Sequence, residues 1–315
     1  MTPPTLAEVQ AEAARLGFVA CGVASLEPSR RADALDAWLA SGRAGTMRYL
    51  HRQAKKRKQP ATIHPEARTA VMVLDNYAAA PDEQPQPGDA FKVASYARGT
   101  DYHLVTLGRL LALKEWLISR GASFTSAWVD DGPVPERELA ERAGLGWIGK
   151  NTMLINPRLG SWTFIGSVFT DLVIPADAAV DTDRCGSCTR CLDACPTEAI
   201  VAPRVLDATR CLSYLSIEYK PDPPPELDGR WAEWAFGCDI CNSVCPWNEK
   251  FAEPTTIADF RRRPDPDRRD PAAFDTLDDA EFTRRYADSP LSRPGLVRMR
   301  RNVRHATARR QDAES

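Results

Sequence analysis

Thr5 to Glu8 fits a capping box, S/T-x-x-E, and Leu6, Val9, Ala13 and Leu16 follow at helical spacing until Gly17 ends the run. The short apolar segment "FVACGVA" predicts a strand that carries Cys21 as a buried core thiol. "TAVMVLDNYAA" predicts another strand, and "PDEQPQPGDA" at 81–90 a proline-rich surface loop. In "DYHLVTLGRLLALKEWLISRGA", Leu104, Leu107, Leu111 and Leu117 with Trp116 form an apolar stripe, so a core helix is expected. "SFTSAWV" reads as a strand and "PERELAERAG" as a short helix. "NTMLINPRLGSWTFIGSVFTDL" reads as two strands about a turn at Asn156 to Gly160. Helices and strands intermix through residue 180, which predicts an α+β protein whose N-terminal domain, 1–180, is mixed α/β.

From residue 181 the texture changes. Short cysteine-rich segments continue to "PWN" at 246–248 and define a metal-organised module over 181–250. The remainder, 251–315, reads as a polar linker, "RRRPDPDRRDP", and a strongly basic tail. No repeat of 20 to 50 residues is present. At 315 residues the chain has room for two domains with real cores. Its 43% hydrophobic and 27% charged residues are those of an ordinary soluble protein, and a net charge of -2 points to no particular partner. The start has no positive n-region or apolar h-region, and nowhere do eighteen apolar residues run together. A cytoplasmic chain that does not cross a membrane is expected. Nine cysteines in that compartment should be thiols or metal ligands rather than disulfides.

Eight of the nine lie between 185 and 245. "CGSCTRCLDACP" places Cys185, Cys188, Cys191 and Cys195 in C-x2-C-x2-C-x3-C-P, the ferredoxin pattern whose fourth cysteine ligates the other cluster. "CDICNSVCP" supplies only Cys238, Cys241 and Cys245; aligned on the proline, the missing first position is Ala235. Cys211 completes the count. The crossed rule then predicts one [4Fe-4S] cluster on Cys185, Cys188, Cys191 and Cys245, and a second on Cys195, Cys211, Cys238 and Cys241. Two tetrahedral zinc sites are the competing use of eight thiols, but zinc ribbons favour two separated C-x2-4-C knuckles.

Several other stretches carry candidate chemistry. Asp101 to Thr106 nearly spells D-x-H-x-x-G, by which some corrinoid proteins offer a histidine to cobalt. Thr106 stands where the glycine belongs, so Asp101 is read as a helix cap and His103 is not read as a ligand. "VDDGPVPERE" puts Asp130 and Asp131 at a strand end, as turn formers or as a general acid. The glycines of "GLGWIGKNTML" suit a tight turn or the close approach of backbone to a large ligand. "MRYLHRQAKKRKQP" is a basic run; such runs are usually solvated faces, yet with the arginine-rich end it fits a nucleic-acid partner.

"SYARGTDYH", "VDDGPVPERELAERAGLGWIGKNTMLI", "GSWTFIG", "CGSCTRCLDACPTEAI", "RCLSYLSIE" and "GCDICNSVCPWN", in that order over about 90–248, resemble the epoxyqueuosine reductase family. The resemblance implies reduction of epoxyqueuosine to queuosine at the wobble position of tRNA, with electrons passing from an external donor through two [4Fe-4S] clusters to base-off cobalamin. It implies Asp130 as proton donor, Asp131 falling where the family often has a small residue. Arg57, Tyr96, Asp130, Lys150, Asn151, Ser213 and Asp239 sit in matching stretches as cobalamin contacts. The implied partners are epoxyqueuosine-bearing tRNA and the electron donor, with the protein acting as a monomer. Many members continue into helical repeats that grip tRNA; here RNA binding is expected to rest on the basic tail and the cleft rim. A reductase of a small molecule using a corrinoid, and a two-cluster electron carrier fused to a docking domain, are the rival readings.

Overall fold

The structure, a computed structural model, describes residues 2–86, 89–176, 178, 183–264 and 270–314. In chain order the N-terminal half is α1 (Leu6–Arg15), β1 (Ala20–Ser25), α2 (Ala32–Ala40), α3 (Arg48–Lys58), β2 (Thr69–Asn76), β3 (Lys92–Val93), α4 (Tyr102–Ser119), β4 (Thr125–Val129), α5 (Glu136–Arg142), β5 (Trp147–Ile148), β6 (Leu154–Ile155) and β7 (Thr163–Thr170). Then come α6 (Arg190–Asp193), β8 (Ile200–Ala202), β9 (Val205–Leu206), α7 (Leu212–Ile217), β10 (Trp234–Phe236), α8 (Ile240–Ser243), α9 (Pro246–Phe251), α10 (Ala273–Thr276), α11 (Asp279–Tyr286) and α12 (Leu296–Glu314). Thr5 caps α1 in a full capping box with Glu8.

Four antiparallel strands in the order β1-β2-β7-β4 make the central sheet. All eight residues of β2 are buried, because both faces of the strand are covered. Val71 and Val73 alternate onto the face packed by α1 and α4, while Ala70, Met72 and Leu74 meet α5 through Leu139, Ala140 and Ala143. The result is a helix–sheet–helix sandwich. Helix α4 comes close to the sheet at Gly166, where a Cβ would lie 2.9 Å from Leu110 Cδ1. Asp75 ties the same helix down: it accepts from Thr106 Oγ1 at 2.7 Å and from both terminal nitrogens of Arg109.

The buried face of α4 is Tyr102, Thr106, Leu110, Leu113 and Leu117, with Trp116 packed partly buried against the same core; of the expected stripe, Leu117 and Trp116 face inward and Leu104, Leu107 and Leu111 do not. Leu104 is 58% exposed and Leu111 46%. Leucines lie all round this helix, so spacing alone could not choose its inner face; Gly166 and Asp75 choose it. Cys21 is partly buried rather than fully buried, packed against the sheet core.

The expected boundary at 180/181 and the centre of the linker, 265–269, lie outside the described residues. The basic C-terminal tail does not hang free. Met299, Val303 and Ala306 of α12 pack with Phe236, Phe274 and Tyr286 in one core. Arg298 donates to the Ile217 carbonyl at 2.6 Å, Arg300 to that of Phe274 at 2.8 Å and Arg301 to that of Leu215 at 2.7 Å. These three arginines therefore tie α12 to the segments it packs against by satisfying their carbonyls. Among the described residues, no helix is long and apolar enough to cross a membrane.

Candidate functional site

The two cysteine runs fold alike. Cys191 lies in the four-residue helix α6 and Cys241 in the four-residue helix α8, fifty residues later in the same register, and each run ends at Cys-Pro. Position 235, where the second run lacks its first cysteine, is the middle of β10. Ala235 is fully buried there, and β10 pairs with β3. A thiol at 235 would face the packed core. Cys211 instead enters from the N-terminus of α7.

The eight thiols sort by proximity. Burial raises the Cys191 thiol to about 11, and the next charges it meets are those of Cys185, Cys245 and Cys188. Cys245 is raised by burial and meets Cys185 and Cys188. Burial likewise raises Cys241, which meets Cys211 and Cys195 before Cys191, and Cys238, which meets Cys241 and Cys211. Cys191 and Cys245 thus neighbour Cys185 and Cys188, and Cys238 and Cys241 neighbour Cys211. The buried indole N–H of Trp147 has no hydrogen-bond partner among the described residues, and Trp147 shares a cluster with Cys245 and Cys185. A donor is thus left beside thiolates, as an iron–sulfur group with acceptor sulfurs would use it.

The segment "GLGWIGKNTML" joins the two runs to the sheet domain. Lys150 Nζ donates to the carbonyls of Gly186 (2.6 Å) and Cys188 (2.9 Å) in the first run. Asn151 Nδ2 donates to the Cys241 carbonyl (3.3 Å) and to Asn242 Oδ1 (3.2 Å) in the second. Asp239, buried between two cysteines, accepts from Ser95 N (2.7 Å) and Ser95 Oγ (2.8 Å) and lies 3.5 Å from Arg98. These polar groups are therefore engaged within the protein. Ser213 stands in the first turn of α7, two residues after Cys211.

Asp130 follows β4 with φ +49, a left-handed backbone for a non-glycine residue. Its Oδ2 accepts from the Tyr102 hydroxyl at 2.5 Å and its N–H donates to Glu136 Oε1 at 2.7 Å. Asp131 does something else: its carboxylate accepts from Val129 N at 3.3 Å, a local turn bond. Arg57 Nη2 donates to the Gly132 carbonyl at 2.8 Å and Nη1 to that of Val134 at 3.1 Å. Its Nε is buried and has no hydrogen-bond partner among the described residues. Burial pushes the Glu136 carboxyl up to about 8, the Asp130 charge adding to the rise. Burial also raises the Tyr102 and Tyr96 phenols far above their ordinary values, with Asp130 again the next contributor. The Tyr96 ring lies 6.2 Å from that of Tyr102, the partner of Asp130, and 3.2 Å from where a Cβ on Gly237 would stand, so it lies between the Asp130 loop and the second cysteine run. Arg293, paired with Glu218 at 2.9 Å, also faces Asp130.

His103 belongs to the helix cap. Asp101 Oδ1 accepts from its backbone N–H at 2.9 Å and lies 2.8 Å from its Nδ1.

The family described as "Epoxyqueuosine reductase QueG, DUF1730" matches residues 57–131, and "4Fe-4S double cluster binding domain" matches 184–248. An epoxyqueuosine reductase of Cellulophaga algicola is 37% identical over 297 residues, covering 94% of this chain and 95% of the relative. The chain belongs to the epoxyqueuosine reductase family. The epoxyqueuosine reductase of Pseudomonas aeruginosa is 41% identical over 293 residues, covering 91% of this chain and 81% of that one. A crystal structure of epoxyqueuosine reductase with an epoxyqueuosine-modified tRNA-Tyr stem loop superposes with TM-score 0.87 at 27% identity, covering 98% of this chain and 82% of that one. The Bacillus subtilis epoxyqueuosine reductase, solved with its catalytic loop swung out of the active site, gives TM-score 0.85 at 26% identity over the same shares.

As a member of the epoxyqueuosine reductase family, the chain is an oxidoreductase with a double [4Fe-4S] domain. The family match over 57–131 covers Arg57, Tyr96 and Asp130, which a ferredoxin-like carrier alone would not need. Sequence reasoning missed Tyr102, Glu136 and Arg293. The first two lie inside "SYARGTDYH" and "VDDGPVPERE", so the signal for them was present; Arg293 has none, since it arrives from the C-terminal segment.

Proposed function

We propose that this chain reduces epoxyqueuosine to queuosine at the wobble position of tRNA anticodons, in the cytoplasm, as a monomer supplied by an external electron donor. The observation that carries the reading is the meeting of Asp130 with both cysteine runs around one loop system: Lys150 on the first, Asn151 on the second, and Tyr96 between the Asp130 loop and the second cysteine run. Cys185, Cys188, Cys191 and Cys245 hold one [4Fe-4S] cluster; Cys195, Cys211, Cys238 and Cys241 hold the other. Arg57, Tyr96, Asp130, Lys150, Asn151, Ser213 and Asp239 are the residues that would hold the cobalamin. Arg57 Nε, without a hydrogen-bond partner among the described residues, fits a ligand edged with amides. Lys150, Asn151 and Asp239 contribute wall shape, since their polar atoms already bond to protein. When bound, the clusters would relay single electrons and the cobalamin would present low-valent cobalt to the epoxide.

Opening the epoxide to an alkene consumes two electrons and two protons and releases the oxygen as water. Asp130 gives a proton to the departing oxygen. Tyr102 orients its carboxyl through the 2.5 Å bond, and Glu136 holds the Asp130 main chain while keeping a proton of its own at neutral pH. Arg57 fixes the loop beyond by its two carbonyl bonds.

The test is direct. The purified protein is reconstituted with iron, sulfide and cobalamin, reduced, and given epoxyqueuosine-bearing tRNA, with the nucleosides followed by mass spectrometry. Queuosine is expected. No conversion with both cofactors bound would sink the reading, and cobalt-dependent reduction of a small molecule in its place would favour the rival.

A further inference from the structure

Helix α3 carries Arg48, Arg52, Lys55, Lys56, Arg57 and Lys58 and no acidic residue. At 3.6 residues per turn, Arg48, His51, Arg52, Lys55 and Lys56 fall within an arc of about 140°. Those five are exposed, whereas Tyr49, Gln53 and Arg57 on the other side are half-buried. The helix is therefore amphipathic in charge, with a bare cationic strip outside.

The strip differs from much of the surrounding surface. Arg31 pairs with Glu141, Arg190 with Glu249, Arg204 with Asp183 and Arg263 with Asp288. Of the basic run on α3, Lys58 pairs with Asp36. Among the described residues, Arg48, Arg52, Lys55 and Lys56 have no ion pair or side-chain hydrogen bond. Arg48, Arg52 and Lys56 are like charges at i,i+4, so an anion laid along the strip would relieve their repulsion. The inner side of α3 shows where that anion would lie. Arg57 clasps the Gly132 and Val134 carbonyls of the Asp130 loop, and the half-buried Tyr49 faces Asp130 and Glu218. The strip is thus the back of the wall that holds the proton donor.

We propose that this outer face of α3 binds the RNA phosphate backbone flanking the nucleotide delivered to Asp130. The inference rests on the tRNA reading above. It favours RNA over an acidic protein because the strip carries cations without an apolar anchor: the large exposed apolar side chains are elsewhere, such as Leu104 and Leu111 on α4. A protein interface draws on buried aromatic and aliphatic anchors, whereas phosphate binding needs only charge.

The experiment compares the wild-type holoprotein with one carrying Arg48→Gln, Arg52→Gln, Lys55→Gln and Lys56→Gln, all good helix formers at exposed positions. Affinity for epoxyqueuosine-bearing tRNA, and for the same tRNA unmodified, is measured across a salt series. The slope of log affinity against log salt should flatten by roughly 3, at about 0.7 to 0.9 per lost phosphate contact, with both RNAs weakened alike by at least roughly tenfold at low salt. KM for tRNA should rise with kcat at saturation retained, and iron content should be unchanged. Wild-type slope and affinity in the variant, with wild type converting tRNA, would overturn the strip alone. Intact RNA binding with slowed reduction by a protein electron donor would reassign it to that donor. A wild-type protein that neither binds nor converts tRNA would overturn the underlying reading as well.

Discussion

The Tyr102 hydroxyl donates to Asp130 Oδ2 at 2.5 Å, joining the first residue of α4 to the residue that follows β4. The Tyr102 ring is itself fixed, stacked on Phe164 of β7 at 4.3 Å with the planes 11° apart. Burial keeps the phenol protonated, so its hydroxyl has a proton to donate to this carboxyl oxygen.

Tyr102→Phe keeps the stacking and removes the donor. A hydrogen bond of this kind contributes a net of about 0.5 to 1.5 kcal/mol, so turnover should fall roughly 2- to 10-fold. Asp130→Asn should fall further, by about 10²- to 10⁴-fold, the range of a general acid. Both proteins should keep full iron and cobalt content, so single-turnover conversion of tRNA is the deciding measurement. An active Asn variant would remove Asp130 as the proton donor.

Glu136 sets a pH dependence. Its folded value of about 8 stands above the ordinary 4.5, so the native protein retains a proton that the unfolded chain releases between those values. Native stability from this group is therefore full at low pH and is lost as pH rises from about 4.5 through about 8. Asp130, Arg137 and Arg57 are the charges that face it. Glu136→Gln keeps an acceptor for the Asp130 N–H but cannot titrate. Its denaturant midpoint should fall less between pH 5 and 8 than that of the wild type, and the alkaline decline in turnover near pH 8 should disappear. An unchanged pH profile would show that Glu136 does not hold the proton.

Cys211→Ala should lose about four of eight irons and leave the first cluster's spectrum in place. Adding Ala235→Cys restores the ferredoxin spacing in the sequence but should not restore the iron. Position 235 is fully buried in β10 among core side chains. Iron analysis and electron paramagnetic resonance on both variants check this, and recovery in the double variant would break the assignment of Cys211.

Gly132→Ala tests the loop. Its φ is +69, and a Cβ there would lie 2.3 Å from Trp128 Cζ3, in a segment Arg57 grips through the Gly132 carbonyl. A substitution incompatible with its backbone costs more than about 1 kcal/mol. The loss of turnover should exceed what the shift in melting temperature explains, because Asp130 is carried on the displaced loop.

Elements with strong local signals were legible in the sequence. The capping box at Thr5, the strands at Thr69–Asn76 and Thr125–Val129, and the Asp101 cap all fold as their residues predict. The inner face of α4 was not legible, since leucines surround it and the choice came from Asp75 and Gly166 across the sheet. Nor was the inward turn of Arg298, Arg300 and Arg301, because the carbonyls they satisfy belong to segments up to 86 residues away.

By itself the sequence determined the two cysteine runs and the family they belong to, because cluster ligands come from short segments whose spacing survives in one dimension. Only the tertiary structure decided that Tyr102, Glu136 and Arg57 surround Asp130, and that Lys150 and Asn151 each take one run. Those contacts join α3, α4, the loop after β4 and the cluster module through the antiparallel order β1-β2-β7-β4. Burial between packed layers, not spacing along the chain, gives Glu136 its raised value and places the phenol of Tyr102 on the carboxyl.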